Sequence, residues 1–152
     1  MRYWWVNQNQ THRQEVGGGY LWSPKRNANG GRNPFYESMR EVAPGDVILS
    51  FVDTRIIAIG IAQSYCFESP KPVEFGSTGQ NWENVGWKVL VAFTPLANRI
   101  RLRKNQVSLL PPRGSFRRLA PGLIELDEPF AGAVQMIPVR NSHSLFPRQH
   151  NL

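Results

Sequence analysis

The chain has 152 residues, with 18 Lys+Arg against 11 Asp+Glu and a net charge of +7. That length suits one domain, and the charge favours a polyanionic partner, nucleic acid first, over a cationic one. Cys66 is the single cysteine, which excludes an intrachain disulfide and a multi-cysteine zinc site and makes a reducing, cytoplasmic setting the default.

In chain order, Arg2 to Asn7 (RYWWVN) is aromatic and β-branched and predicts a first strand. Alternation sends Trp4 and Trp5 to opposite faces, at least one of them into the core. The sequence turns polar after Val6, too soon for a signal peptide, and no apolar run approaches the roughly 20 residues that cross a bilayer. QNQTHRQEV reads as polar loop. Next, GGGYLWSPKRNANGGRN at 17 to 33 sets Trp22 between two glycine-rich arms with three cations and no acid. Trp22 therefore reads as a loop aromatic, either a lid over the fold or a binding platform.

PFYESMREV at 34 to 42 opens on Pro34, spaces Phe35, Met39 and Val42 three to four residues apart and stops before Pro44, predicting a short amphipathic helix. Arg32 and Asn33 either cap that helix or stay free for other contacts. APGD is a turn in which Asp46 serves as a stabilising side chain. VILSFVD is a strand buried on both faces, Asp53-Thr54-Arg55 a tight connection, and IIAIGIAQSY at 56 to 65 its hairpin partner, with Gly60 marking a bulge or a close backbone approach. A polar loop at 68 to 84 carries Trp82. GWKVLVAF at 86 to 93 is a further strand with Trp87 in the core, and IRLR at 100 to 103 alternates apolar with basic residues.

Five short strands with one helix between the first two give an α+β class, a small, strongly curved mixed or antiparallel sheet closing toward a barrel. Six of the twelve prolines follow position 110. Residues 111 to 152 read as a Pro-rich C-terminal segment that either wraps the barrel through Leu123, Ile124, Leu126 and Phe130 or is partly disordered. From Arg99 to Arg118 the chain carries seven cations and no acid, either a solvated edge or a phosphate-facing strip.

Catalytic signatures are lacking. His12, His143 and His150 share no metal-ligand spacing with one another or with Cys66, and no nucleophile elbow, phosphate loop or dinucleotide fingerprint occurs. The expectation is a binder with no catalytic residues, no metal and no cofactor.

The order YWWVNQ, GGRNPFYESMREVAPGD, VILSF, IAIGIAQ resembles EVE domains of the PUA-like superfamily, relatives of the YTH readers of methylated adenine, over roughly residues 2 to 103. WWVNQNQT followed by EVGGGYLWSPK is similar to the N-terminal EVE-like module of prokaryotic modification-dependent HNH restriction endonucleases. The resemblance implies a PUA-like curved mixed β-barrel of about five or six strands with a few short flanking helices, occupying residues 1 to 110. No HNH-like cluster occurs, so the chain alone is expected not to cut, and a nuclease partner or a separate HNH domain would do so.

The resemblance further implies a pocket for a flipped, modified base. Trp22 with Ser23 matches its first aromatic element, Trp82 its second aromatic loop, and Asn7, Gln8 and Asn9 the polar residues after the first strand. Ser50 and Phe51 would form the floor. Extruding a base costs a few kcal/mol, and stacking on an aromatic face returns on the order of 1 to 3 kcal/mol per contact. Two facing rings therefore offset extrusion, and a buried methyl adds roughly 0.8 kcal/mol. Lys25, Arg26 and Arg32, with Arg99, Arg101, Arg103 and Lys104 of the basic strip, would hold phosphates. The expected partner is duplex DNA carrying 5-methylcytosine or a related modification, in preference to methylated adenine. A PUA-like RNA-binding module, indifferent to DNA modification, is the alternative.

Overall fold

The structure is a computed structural model, and residues 1–101 and 116–119 are described. Strand β1 (Tyr3–Asn7) forms where aromatic and β-branched residues crowd together. Trp4 and Trp5 are both fully buried, and alternation places them in two different apolar clusters.

The polar stretch expected as loop contains helix α1 (His12–Gly18), which Gly19 ends in a left-handed turn at φ 73°. The glycine-flanked segment, also expected as loop, is strand β2 (Tyr20–Pro24), all five residues buried. Its glycine arms supply the turns at either end, and Trp22 sits on the strand between them. Helix α2 (Pro34–Glu37) runs into a 3₁₀ turn, Ser38–Glu41, where the amphipathic helix was expected.

Strand β3 (Val47–Val52) is wholly buried and pairs antiparallel with β4 (Arg55–Ala62). Asp53 and Thr54 make the tight connection at φ 47° and 67°, a left-handed pair that suits a two-residue hairpin. The bulges fall between Ser50 and Phe51 and between Ile56 and Ala58; Gly60 instead permits the close approach of Val91 and Phe93. The expected polar loop holds strand β5 (Phe67–Pro70) and a 3₁₀ turn, Val73–Phe75. The strand expected at 86 to 93 runs on without a break into the start of the one expected at 100 to 103, as one 17-residue strand, β6 (Val85–Arg101), and residues 102 and 103 lie outside the described residues. Strand β7 (Phe116–Leu119) lies where the residue pattern suggests only loop or tail, and it pairs antiparallel with β1.

The strands form one curled half-barrel in the order β2-β6-β4-β3-β1-β7, with β5 pairing the early part of β6. β1 runs parallel to β3, and the remaining pairs are antiparallel. The curl brings β2, at one margin of the sheet, toward β1 near the other. Val6 of β1, Leu21 of β2, Ile48, Val89, Val91 and Met39 pack there in one cluster. β1 and β2 share no ladder hydrogen bonds, so a seam lies between them.

Asp46 fastens the start of the sheet. It is buried, and its carboxylate accepts from the Arg2 backbone N–H at 2.9 Å, the Trp4 indole N–H at 2.9 Å and the Ala43 backbone N–H at 3.0 Å. Its removal strands donors in the interior, a loss of about 1 to 3 kcal/mol for each buried group left unmade. Asp46→Ala should lower the unfolding free energy by about 3 kcal/mol, measured as a fall in urea midpoint at unchanged m-value.

Candidate functional site

The seam encloses a cavity of about 430 Å³. The end of β1 and the turn after it (Val6 to Thr11), Glu15 of α1, Leu21 to Pro24 of β2, Tyr36, Met39 and Trp82 form its walls. Two glycines set the indoles. A Cβ on Gly86, opposite Pro24 in the ladder, would strike the Trp22 ring, and one on Gly79, at φ 65°, would strike the Trp82 ring.

Trp22 is only 5% exposed and packs with Tyr20 and Phe75, while Trp82 is half-buried against them. The two indole centroids are 6.2 Å apart at an interplanar angle of 31°. Two stacking separations of roughly 3.4 Å are needed to admit a base between facing rings. The centroid separation falls a little short of that, and the two tilted rings together form the aromatic side of the cavity. Trp22 lies within an apolar cluster and still borders the cavity.

The polar side is built around Glu15, which is 3% exposed. Its Oε1 accepts from the Trp22 backbone N–H at 2.7 Å; its Oε2 accepts from Gln8 Nε2 at 2.8 Å and from Thr11 Oγ1 at 2.7 Å. Gln8 Oε1 in turn accepts from the Ser50 hydroxyl at 2.5 Å, so both ends of that amide are held. Burial pushes the Glu15 carboxyl up to about 7, outweighing the three hydrogen bonds that favour its charged form.

Asn7, Gln8, Asn9, Trp22, Ser23 and Trp82 thus meet at one cavity. Asn9 also accepts from the Asp53 N–H at 3.1 Å, tying this rim to the β3-β4 hairpin, and the Ser23 hydroxyl is directed at Met39 Sδ, 2.9 Å away. Ser50 and Phe51, expected as floor, do not line it. Ser50 is sealed behind Gln8, and alternation turns Phe51 to the other face of the sheet, where it packs on Trp5 at 4.2 Å between ring centroids. Gln8, Thr11 and Glu15 occupy the polar side instead.

The cations differ in their engagement. Lys25 pairs with Glu68 and lies 4.5 Å above the half-buried Trp87 ring. Arg26 and Arg32 are exposed and bridge across their loop. Arg99 and Arg101 are exposed at the end of β6, with Arg101 directly opposite Arg55 of β4. Arg103 and Lys104 lie outside the described residues.

Sequence reasoning missed Glu15, Thr11, Tyr36 and Arg55. The available signal was the spacing of Thr11 and Glu15, four apart on one helical face, together with Glu15 being the only acid before Glu37. Among the described residues no three His, Cys, Asp or Glu groups could hold a metal ion, and no helix is long and apolar enough to cross a membrane.

No protein-family profile and no curated protein matches the chain. Solved structures do. A hypothetical protein from Leishmania major superposes with a TM-score of 0.57 at 12% identity, covering 90% of this chain and 94% of that one. A point mutant of the ASCH protein from Zymomonas mobilis gives 0.54 at 9% identity, covering 90% and 99%. A protein from Pseudomonas putida gives 0.52 at 15% identity, covering 88% and 97%. The chain shares with these proteins the fold described above, a curled half-barrel sheet with a few short helices. At such identities the likeness concerns the fold alone.

The Glu15 carboxyl also has a consequence for stability. Its folded value of about 7 lies above the ordinary 4.5, so between these pH values the folded state holds a proton that the unfolded state has lost. Its contribution is full below about pH 4.5 and is lost as pH rises through about 7, a change of roughly 3 kcal/mol at about 1.4 kcal/mol per unit. Urea unfolding at pH 4 and pH 8 should show wild type losing about that much relative to Glu15→Gln across the interval.

Proposed function

We propose that the chain is a DNA-binding reader of modified bases of the EVE type, and that it takes a flipped 5-methylcytosine or related base into the cavity at the seam. In this reading it serves as the specificity module of an HNH-type modification-dependent restriction system, with cleavage performed by a nuclease partner or domain. One observation carries the proposal: an indole wall and a cluster of amide side chains border the same cavity of about 430 Å³.

The chemistry fits a nucleobase. An inserted base would lay one face on the indole wall, recovering on the order of 1 to 3 kcal/mol per stacking contact against an extrusion cost of a few kcal/mol. The amides of Asn7 and Asn9 each offer a donor and an acceptor to the exposed base edge. A methyl group buried against Met39 or Trp82 adds roughly 0.8 kcal/mol, enough to favour the modified base when the other terms nearly cancel. Arg26, Arg32, Arg55, Arg99 and Arg101 would meet phosphates, which position the duplex and carry no sequence information. Like charges paired directly across a ladder, as Arg55 and Arg101 are, gain most from such an anion.

The test is a binding panel of unmodified, cytosine-modified and adenine-modified duplexes with an RNA competitor at fixed salt. Cytosine-modified DNA should bind tightest. Trp82→Ala should erase that preference and leave the salt-dependent background; Trp22→Ala is a poorer probe, because truncating a buried tryptophan costs about 3 to 5 kcal/mol of stability. Joint replacement of Arg99 and Arg101 by Ala should weaken all duplexes alike and flatten the salt dependence. Equal affinity for modified and unmodified DNA would contradict the proposal, and tighter binding to RNA would favour a PUA-like RNA-binding module.

A further inference from the structure

The polar wall of the cavity has an unequal pair of oxygens. An ionised carboxylate offers about four acceptor positions, two on each oxygen. At Glu15, Oε2 has both filled, by Gln8 and Thr11, whereas Oε1 has one filled, by the Trp22 N–H. Glu15 also lines the cavity, and the lining contains no Lys, Arg or His. A buried carboxylate without a cation needs hydrogen-bond donors to remain charged. Three of its four positions are supplied by protein donors, and the remaining position, on Oε1, belongs to a residue that lines the cavity.

We infer that Oε1 of Glu15 accepts a hydrogen bond from the exocyclic amino group of the inserted base, so that the cavity selects amino-bearing bases over keto-bearing ones. The inference rests on the base-inserting function proposed above and names the edge that the cavity reads. An amino-bearing edge, as on cytosine or adenine, supplies an N–H where the acceptor position is vacant, which is the established pairing chemistry of carboxylates with the cytosine amino group. A thymine-type base presents its ring N–H only between two carbonyls, and their lone pairs would face the carboxylate. Gln8 cannot turn to compensate, because Ser50 holds its oxygen and Glu15 its nitrogen.

The same geometry sets the pH dependence. A donor from the base favours the charged form of Glu15, whose own burial holds it at about 7. Binding of an amino-bearing base should therefore tighten as pH rises through about 7, and level off above it. The other titratable groups near Glu15 include His12 of the same helix and two tyrosines. Tyr20 of β2 and Tyr36 across the cavity are both held above the ordinary tyrosine range by burial, so neither changes charge in this interval.

The experiment compares three duplexes that differ at one position opposite an abasic site: 5-methylcytosine, thymine, or no base. The first two share a ring and a methyl group and differ in the amino and keto edge. At pH 8 the full chain should bind the 5-methylcytosine duplex roughly tenfold tighter than the thymine duplex, and the margin should shrink at pH 6. Thymine, compared at the same two pH values, controls for any pH effect that does not depend on the amino edge. Glu15→Gln, checked for folding by circular dichroism, should narrow the margin and remove its pH dependence; the wild-type pH comparison stands without the variant. If 5-methylcytosine and thymine bind alike and both exceed the base-free duplex, bases enter the cavity and the inference about Glu15 is overturned. If all three bind alike, base insertion itself fails.

Discussion

A single buried carboxylate spans the place where this sheet does not close. β2 meets the rest of the sheet through β6, and β1 lies between β3 and β7, so no ladder joins the two strands that face each other across the seam. Glu15 reaches both sides: the Trp22 N–H on β2 and the Gln8 amide just beyond β1, with Thr11 completing the clasp from its own helix. Without it, a backbone donor at the free margin of β2 would be buried unsatisfied. The cavity exists because a side chain, which is short and leaves space around it, substitutes there for a strand.

That substitution concentrates opposed chemistry in a small volume. Outside, the chain is strongly basic, and its exposed arginines at the end of β6 and in the loop after β2 suit a phosphate backbone. Inside, the lining carries one carboxyl and no cation. In the proposed function, surface cations would raise affinity for any duplex, whereas the buried acceptor would discriminate among base edges, since an unmatched polar group in a desolvated site carries a large penalty. Affinity and selectivity would then reside in different residues.

Much of the framework is legible from residue pattern. The continuous apolar run of β3, the turn at Asp53 and Thr54 and the alternating strand after it specify a hairpin by local rules, and Asp46 behaves as the turn residue that its place after Gly45 suggests. The seam is not legible, for a physical reason. α1 is polar on its exposed faces and turns a glutamate inward, so hydrophobic periodicity shows nothing; its inward face is organised by hydrogen bonds. β2 is bracketed by glycines, which mark turns and mask the five residues between them. Trp22 consequently has the signature of a loop residue while it stands on a strand. Ser50 and Phe51 do lie on β3, as their apolar run predicts, but adjacent strand residues face opposite ways, and only distant contacts decide which face borders the cavity.

The central claim is that the seam cavity receives a base drawn out of its helix. A crystal structure of the chain with a duplex carrying one 5-methylcytosine tests it most directly. The account predicts that nucleotide rotated out of the stack, its ring against the indole wall and its amino group within hydrogen-bonding distance of Glu15 Oε1. A complex in which every base remains stacked and the cavity between β1 and β2 stays empty would contradict it.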